Sequence, residues 1–470
     1  MKKTTFILLF LLVFQDGNAQ LKDSVRTLHA EEVLLLVRKF HPIAKQAVIS
    51  IEKADADIRI ARAAFDPVLR HTASEKTFNN LDYYHYNTSE LSIPTWYGIE
   101  IFGGLETLSG NRTDPTLTPG ESNFIGIQIP LAKNLLMDKR RALLQQAKIF
   151  STMALTEQQA VLNDLSIEAM YAYWNWVKSY QKYKVLKNTV EINKKRMTWI
   201  RNSWMNGERP MIDTIEALTQ LQTFQVQEQN NWMEFQNAGL YLSTFLWQTN
   251  NEPYNLPDDI TPANQWNDAP QIVNFNLDLN SLLQIGGNQH PYLSLYDQKI
   301  NILEIDKKLK FQELLPKVDL KYRHLSKGNS PSDFPPPGVL RNNFQYTLSL
   351  EIPLRLSQGR GEFEKAKLKI EETELDYARK RQEIALKIKA CYNEFMALQS
   401  QIDIQNIQYN NLQFLVRAEE LKFQNGESSL FLINSRENKA LEASQKLIEL
   451  KTEYYKTLYA LQWSAGLLQY

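Results

Sequence analysis

The sequence has almost no cysteine and no excess of charge of either sign. Of its 470 residues only Cys391 is a cysteine, which excludes an internal disulfide and a Cys-rich metal site. The 53 Lys and Arg residues balance 53 Asp and Glu residues. This balance gives no electrostatic reason to expect a nucleic acid or a polybasic membrane-binding surface.

The sequence also lacks the patterns of common catalytic and metal sites. It contains no His-Glu-x-x-His, no phosphate-binding Gly-rich loop and no Gly-x-Ser-x-Gly elbow. Acidic pairs such as Glu371-Glu372 lie in amphipathic segments and are typical of a solvated helix face. We therefore expect no enzyme, no cofactor and no bound metal. The histidines have no metal-ligand companion at helical spacing; they stand at positions 29, 41, 71, 85, 290 and 324.

Long hydrophobic runs are missing after residue 20. The N-terminus has two lysines, an apolar stretch from Phe6 to Phe14, and small residues at Gly17 and Ala19. This pattern predicts a signal peptide at 1–19, since the apolar stretch is too short for a retained membrane anchor. No cysteine stands near the cleavage site, so we do not expect a lipid anchor there. An exported chain without an apolar helix crosses a membrane only as a closed β-barrel.

The chain repeats itself once. His-Pro at 41–42 recurs at 290–291, and a second proline follows each pair by 25 positions. Three further pairs keep the same order: Ile-Pro-Leu (129–131 and 352–354), Ala-Lys (147–148 and 366–367) and Asn-Gly (206–207 and 425–426). Four such coincidences indicate gene duplication. The histidines of the His-Pro pairs suggest a repeated turn entry.

These landmarks divide the chain into segments. We expect the signal peptide to be followed by a first repeat at 20–247, a connector at 248–288 and a second repeat at 289–470. The connector is rich in Asn, Asp and Pro, so we expect it to be partly irregular.

Each repeat contains a long segment with a seven-residue apolar period, which predicts a coiled-coil helix. About 60 helical residues would extend about 90 Å, which suits a rod or the wall of a tube. Asn-Gly then predicts a turn into an antiparallel helix that begins near Met211 or Leu430. In the first repeat the seam runs through Leu162, Leu165, Ala169, Ala172, Trp176, Ser179, Tyr183, Leu186, Val190, Asn193, Met197, Ile200 and Trp204, and in the second through Ile384, Ile388, Cys391, Phe395, Leu398, Ile402, Gln405, Tyr409, Leu412 and Val416.

Alternating residues predict strands around 124–129, 317–323 and 344–355. Such alternation fits membrane-barrel strands and also an ordinary antiparallel sheet with one wet face. The export signal and the missing apolar helix favour the barrel. From Pro67 to Pro130 is 63 positions, against 37 from Pro316 to Pro353, so the first repeat carries 26 extra residues rich in aromatics.

In this order the landmarks resemble the TolC-type outer-membrane efflux proteins over nearly the whole mature chain. The resemblance implies a mainly α fold with a β-barrel part: two tandem helix–strand–strand–helix repeats whose coiled-coil helices form a periplasmic tunnel. It implies a homotrimer in which four strands per subunit complete a 12-stranded barrel in outer-membrane lipid. It also implies a periplasmic adaptor, or membrane fusion protein, and an inner-membrane transporter as partners.

Two groups of residues are candidate sites within this resemblance. Asp213 and Glu216 follow the first Asn-Gly turn, where rings of three carboxylates would form a periplasmic gate closed by Arg209 or Arg436; a solvated helix face is the other interpretation. The turns themselves are candidate adaptor contacts, at Asn206, Gly207, Asn425 and Gly426.

The predicted function is an outer-membrane exit duct of a tripartite efflux or type I secretion system. It would passively conduct drugs, metal ions or polypeptides. The alternative is a periplasmic coiled-coil scaffold or adaptor that does not span the membrane, whose strands would form a soluble sheet.

Overall fold

The computed structural model describes residues 26–113, 117–257, 259–263, 278–328 and 343–468. The predicted signal peptide and the central part of the predicted connector lie outside these ranges. In the described part of the chain, no helix has both the length and the apolar character needed to cross a membrane.

Each half of the chain begins with a short helix followed by a longer one. Helices α1 (Ala30–Phe40) and α2 (Pro42–Ala63) have 11 and 22 residues, and so do α5 (Leu279–Gln289) and α6 (Pro291–Gln312). Helix α5 therefore occupies the end of the segment predicted to be an irregular connector.

The repeated His-Pro pair starts the second helix of each half. Nδ1 of His41 accepts a hydrogen bond from the backbone N of Ile43, and Nδ1 of His290 accepts one from Tyr292, both at 3.2 Å. Proline follows at the first helical position, where its missing N–H costs nothing. The predicted turn entry is thus confirmed as a histidine helix cap.

The two long helices are α3 (Lys139–Met205) and α7 (Ser357–Gln424), with 67 and 68 residues, or about 100 Å each at 1.5 Å per residue. They turn back into α4 (Met211–Ser243) and α8 (Leu430–Ser464). Most of the predicted seam residues of α3 are buried, but Leu162, Tyr183 and Met197 are half-buried and Trp204 is exposed. Along α7 the seam residues are buried up to Leu398, and those from Ile402 to Val416 are half-buried.

The largest hydrophobic cluster joins both halves midway along the long helices. Trp174 of α3 stacks on Tyr455 of α8 with ring centroids 4.2 Å apart. Asn163 ties α3 to the C-terminal segment, since its amide donates to the Trp463 carbonyl at 3.0 Å and accepts from the backbone N of Leu468 at 3.0 Å. A two-stranded parallel sheet, β1 (Thr27–Leu28) with β6 (Thr261–Pro262), lies beside this cluster, where Tyr173 donates to the Leu28 carbonyl.

The remaining strands form one antiparallel sheet in the order β2-β3-β4-β5-β7-β8. The first half supplies four of them, β2 (Val68–Phe78), β3 (Leu81–Pro94), β4 (Glu100–Ser109) and β5 (Gly120–Pro130), and the second half supplies β7 (Lys317–Lys327) and β8 (Phe344–Glu351). One chain thus has six strands in this sheet and not the four that the resemblance implied. The physical reason is the insertion of 26 residues, which is long enough for one additional hairpin.

The pairing register gives the sheet two unlike faces. The polar face carries Arg70, Thr72, Ser74, Thr88, Glu90, Glu106, Lys321, Arg323, Thr347, Ser349 and Glu351, together with the apolar or aromatic residues Val68, Tyr86, Phe102, Leu108, Phe124 and Leu325. The apolar face carries Leu69, Leu91, Ile93, Ile101, Leu105, Ile125, Ile127, Ile129, Val318, Leu320, Tyr322, Tyr346, Leu348 and Leu350. Toward the strand ends that lie away from the helices, the same face also carries His71, Asn87, Ser89, Thr107, Asn123, His324 and Ser326.

Candidate functional site

The two helical hairpins end in turns of the same geometry. Asn206 and Asn425 each close a long helix with φ −80° and ψ −2°, and Gly207 and Gly426 follow with φ of +75° and +79°. The backbone N of Glu208 donates to Ser203 and that of Glu427 donates to Lys422, both at 2.9 Å. This is the Schellman motif, which requires a left-handed residue after the cap. Glycine is therefore present for its backbone, since a Cβ on either one would meet open space.

Apolar side chains are exposed around both turns. We call residues 204–215 the first tip and residues 421–432 the second tip. Their exposed large hydrophobic side chains are Trp204, Met205, Met211, Ile212 and Ile215 in the first tip and Leu421, Phe431 and Leu432 in the second. The tips pack together through a small cluster that contains Ile200, Ala217, Phe423, Leu430 and Ile433. Both tips therefore expose apolar side chains at the end of the helices.

Arg209 joins the two tips. Its guanidinium lies 3.7 Å from the ring centroid of Phe423 and donates to the Phe423 carbonyl oxygen at 2.9 Å. It also forms an ion pair with Asp213 at 3.5 Å, one turn along α4. The structure thus brings two of the predicted gate residues together within one chain.

The other two predicted gate residues have different partners. Glu216 accepts a hydrogen bond from the side-chain amide of Asn434 at 3.1 Å. Arg436 lies 3.8 Å from Glu419, which also accepts from the Ser428 hydroxyl. A ring of carboxylates involves further copies of the chain, so the gate stays a prediction.

A buried ionic cluster lies next to the tips and was not predicted. Arg196 of α3 contacts Glu420 of α7 and Glu437 of α8, both at 2.7 Å. Asn193 donates to Glu437 at 3.0 Å and accepts from Arg196 at 3.1 Å. Burial opposes the charge on Arg196, but the two carboxylates outweigh it and raise the pKa of Arg196. This cluster fixes three helices to one another.

One signal in the sequence pointed to this cluster. Asn193 occupies a seam position, where a polar side chain needs a buried partner. Its partner Glu437 lies 244 positions away, and Glu420 lies 224 positions from Arg196, so local spacing does not identify them. Within the described ranges no group of His, Cys, Asp and Glu is arranged to hold a metal ion.

Solved outer-membrane channels share this fold. The CusC channel matches with a TM-score of 0.67 and 14% identity, over 93% of this chain and 92% of that one. The Campylobacter jejuni CmeC outer membrane channel matches with a TM-score of 0.65 and 14% identity, over 93% and 85%. VceC, an outer membrane protein of Vibrio cholerae, matches with a TM-score of 0.65 and 13% identity, over 93% and 96%. The predicted fold class, that of an outer-membrane channel with long helices, is confirmed.

A family model matches part of the sequence. Residues 308–467 match the model of the family described as Outer membrane efflux protein. No curated protein sequence matches the chain significantly. The second half of the chain is therefore similar to outer membrane efflux proteins in sequence, and nearly the whole chain shares the fold of these channels. The predicted resemblance is confirmed.

Proposed function

We propose that this protein is an outer-membrane exit duct of a tripartite efflux or type I secretion system. The observation that carries the proposal is one continuous chain path from helices of about 100 Å into a sheet with one apolar and one polar face. A barrel strand in a membrane needs such faces, because one contacts lipid and the other contacts water. The helices would then extend into the periplasm.

The duct requires more than one copy of the chain. A six-stranded sheet is below the smallest usual membrane barrel of about eight strands. The family resemblance supplies the number three, so we propose a homotrimer. Strands of the three subunits would close one barrel, and their helices would line one tunnel.

The tips are the proposed contact for a periplasmic adaptor, and through it for an inner-membrane transporter. Exposed apolar side chains also occur along the helices, but those of the tips surround the turns where the helices end, and exposed apolar groups brought together in this way are typical of a protein-binding surface. Asn206, Gly207, Asn425 and Gly426 shape this surface by turning the chain. We propose that Met211, Ile212 and Phe431 supply most of its apolar contact area.

Substitutions at the tips test the adaptor contact. Ile212→Ser with Phe431→Ser removes apolar contact area without changing the Schellman turns. We expect cross-linking to the cognate adaptor to be lost while trimers form normally. Leu386→Ser, at an exposed apolar position far from the tips on α7, is the matched control. Unchanged cross-linking in the tip variant would remove the tips from the contact.

The gate is a separate proposal for Asp213 and Glu216. Arg209 already neutralises Asp213 within the chain, which leaves Glu216 as the carboxylate held only by an amide. Single-channel selectivity for cations should therefore fall more in Glu216→Gln than in Asp213→Asn. Equal selectivity in wild type and both variants would exclude a carboxylate gate here.

Membrane fractionation tests the duct itself. We expect the mature chain in the outer-membrane fraction, with slower migration of the unheated trimer than of the heated chain on a denaturing gel. A periplasmic scaffold would instead be recovered wholly in the soluble fraction, and that result would exclude the duct.

A further inference from the structure

The six-stranded sheet ends in two free edges that fit one another. Among the described strands, β2 pairs only with β3, and β8 pairs only with β7. All residues of β2 are exposed, and so are all residues of β8 except Gln345. We propose that β8 of one copy pairs with β2 of the next, with Arg70 opposite Glu351, so that three copies close an eighteen-stranded barrel. This inference rests on the proposed trimeric duct.

The two edge strands run in opposite directions relative to the helices. Strand β2 leads away from helix α2, and β8 leads back toward helix α7. The two edges therefore run in opposite directions when identical copies stand side by side. Their pairing is antiparallel, like every other pairing in this sheet.

The stagger of the strands limits the register. Paired residues form one row across the sheet, in the order Val68, Ser92, Phe102, Gly126, Arg323 and Gln345. Val68 is the first residue of β2, whereas β8 continues six residues past Gln345 to Glu351 before it reaches the helices. From β2 to β8 the helix-side ends of the strands thus shift by six residues over five strand pairings. A sixth pairing at the same stagger, between β8 and β2 of the next copy, gives a total shift of about seven residues.

The alternation of side chains then leaves two registers. A shift must be even, because an odd shift would exchange the polar and apolar faces. A shift of six residues places Arg70 opposite Ser349, and a shift of eight places it opposite Glu351.

Charge selects between them. Within its own chain Arg70 is opposite Glu90 on β3. The Glu351 side chain is 77% exposed and lies 4.0 Å from Lys317. With the shift of eight, Arg70 stands between two carboxylates on the polar face, and Leu69 stands between Leu91 and Ile352 on the other. Cross-strand pairs of opposite charge and of apolar groups both stabilise a sheet.

The strand tilt is an independent check. With about 3.3 Å per residue along a strand and about 4.8 Å between strands, a shift of eight residues over six strands corresponds to a tilt of about 42°. Membrane barrels have tilts of about 35–45°. A shift of six gives about 35°, at the limit, and a shift of ten gives about 49°, outside the range.

The consequence concerns what passes through the outer membrane. Barrel diameter grows roughly linearly with strand number, and barrels of about 16–18 strands enclose a water-filled channel. The exit of this duct is therefore wider than the 12-stranded barrel that the resemblance implied.

Engineered disulfides test the register. In a Cys391→Ser background, Arg70→Cys is combined with Glu351→Cys, and the matched controls combine it with Ser349→Cys or Pro353→Cys on the same face. We expect most of the 70/351 variant to migrate as covalent trimer without reductant, and the controls to stay mainly monomeric. Cross-linking mainly through 349 or 353 would overturn the register. Intact outer-membrane trimers without any of the three cross-links would overturn β8–β2 pairing while leaving the duct in place.

A charge exchange tests the pair without cysteine. Arg70→Glu and Glu351→Arg should each lower the temperature at which the trimer dissociates. The double variant should lower it by less than the sum of the two single effects, although Glu90 and Lys317 then face like charges. If the two single effects add in the double variant, the two side chains do not face each other. A protein recovered only in the soluble fraction as a monomer would instead contradict the proposed function.

Discussion

The two halves of this chain agree in their helices and differ in their strands and tips. Corresponding helices have 11 and 11, 22 and 22, 67 and 68, and 33 and 35 residues. The first half nevertheless has four strands in the main sheet where the second has two. Helices that line one wall must span the same distance, whereas an antiparallel sheet accepts another hairpin at little cost. The lengths of corresponding helices are therefore constrained more tightly than the number of strands in each half.

The largest test of this comparison makes the first half resemble the second. Deletion of residues 80–109 removes β3 and β4 and leaves β2 free to pair with β5. The barrel should fall from eighteen strands to twelve, and its cross-section to about half, because diameter scales with strand number. Single-channel conductance should fall with this cross-section when it is measured with the helical end held open.

A deletion in the adjacent loop is the control for that experiment. Removal of residues 111–118 shortens the connection between β4 and β5 without removing either strand. Conductance should stay near the wild-type value. A loop deletion that lowers conductance as much as the hairpin deletion would show that strand number is not the cause.

The second prediction concerns a polar cluster present in only one half. Counted from the Asn-Gly turns, Arg196 and Asn193 correspond to Leu415 and Leu412. Arg196→Leu would leave Glu437 with a carboxylate that is 11% exposed and has lost its cation. Breaking a buried ion pair costs about 3 kcal/mol or more, so the apparent melting temperature of the detergent-solubilised trimer should fall by several degrees.

Arg201→Leu serves as the control on the same helix, since Arg201 is exposed. Its melting temperature should match that of the wild type. If Arg196→Leu also melts like the wild type, the cluster does not hold α3 to α7 and α8.

The third prediction compares the two histidine caps. Burial, with Lys380 nearby and only partly opposed by Asp164, lowers the pKa of His290 to about 4. Burial also lowers the pKa of His41, partly opposed by a backbone hydrogen bond with Thr244. Each cap accepts a hydrogen bond through a neutral ring, so the unfolded chain binds a proton that the folded chain does not. Stability should therefore fall as the pH drops from 6.5 toward 4.

Melting curves between pH 7 and pH 4.5 measure this effect. His290→Asn keeps a capping side chain but removes the titration, so its curve should depend less on pH than that of the wild type. His41→Asn should remove less of the pH dependence. Identical pH profiles for the wild type and both variants would contradict the role of the neutral ring.

The smallest predicted effect is equal in the two halves. Gly207→Ala and Gly426→Ala both place a side chain at positive φ, where it costs about 1 kcal/mol, and neither added methyl group meets a neighbour. The two variants should therefore lose similar stability in thermal unfolding. A large difference between them would show that the tips are not equivalent.

The sequence predicts what local spacing determines. The seam through Trp176 and Leu186, the Asn-Gly turns and the His-Pro caps each depend on residues within a turn or two of one another, and all appear in the structure. The extra hairpin was visible only as 26 additional residues, because glycines at 103 and 104 interrupt the alternation in β4.

What remained hidden depends on distant contacts. Arg196 meets Glu420 and Glu437 only after three helices have packed. The exposed face of each tip likewise follows from which apolar side chains the packing buries: Phe423 is buried and Phe431 is exposed, although both are phenylalanines near the same turn. Periodicity alone does not separate them.

Planar-bilayer recording tests the central claim most directly. Purified protein added to one side of a lipid bilayer should insert as discrete, equal current steps, because each inserted trimer contributes one water-filled channel. Weakening the proposed gate by Asp213→Asn with Glu216→Gln should enlarge the step. Folded trimer that never produces current steps, before or after that change, would contradict the account of this protein as an outer-membrane duct.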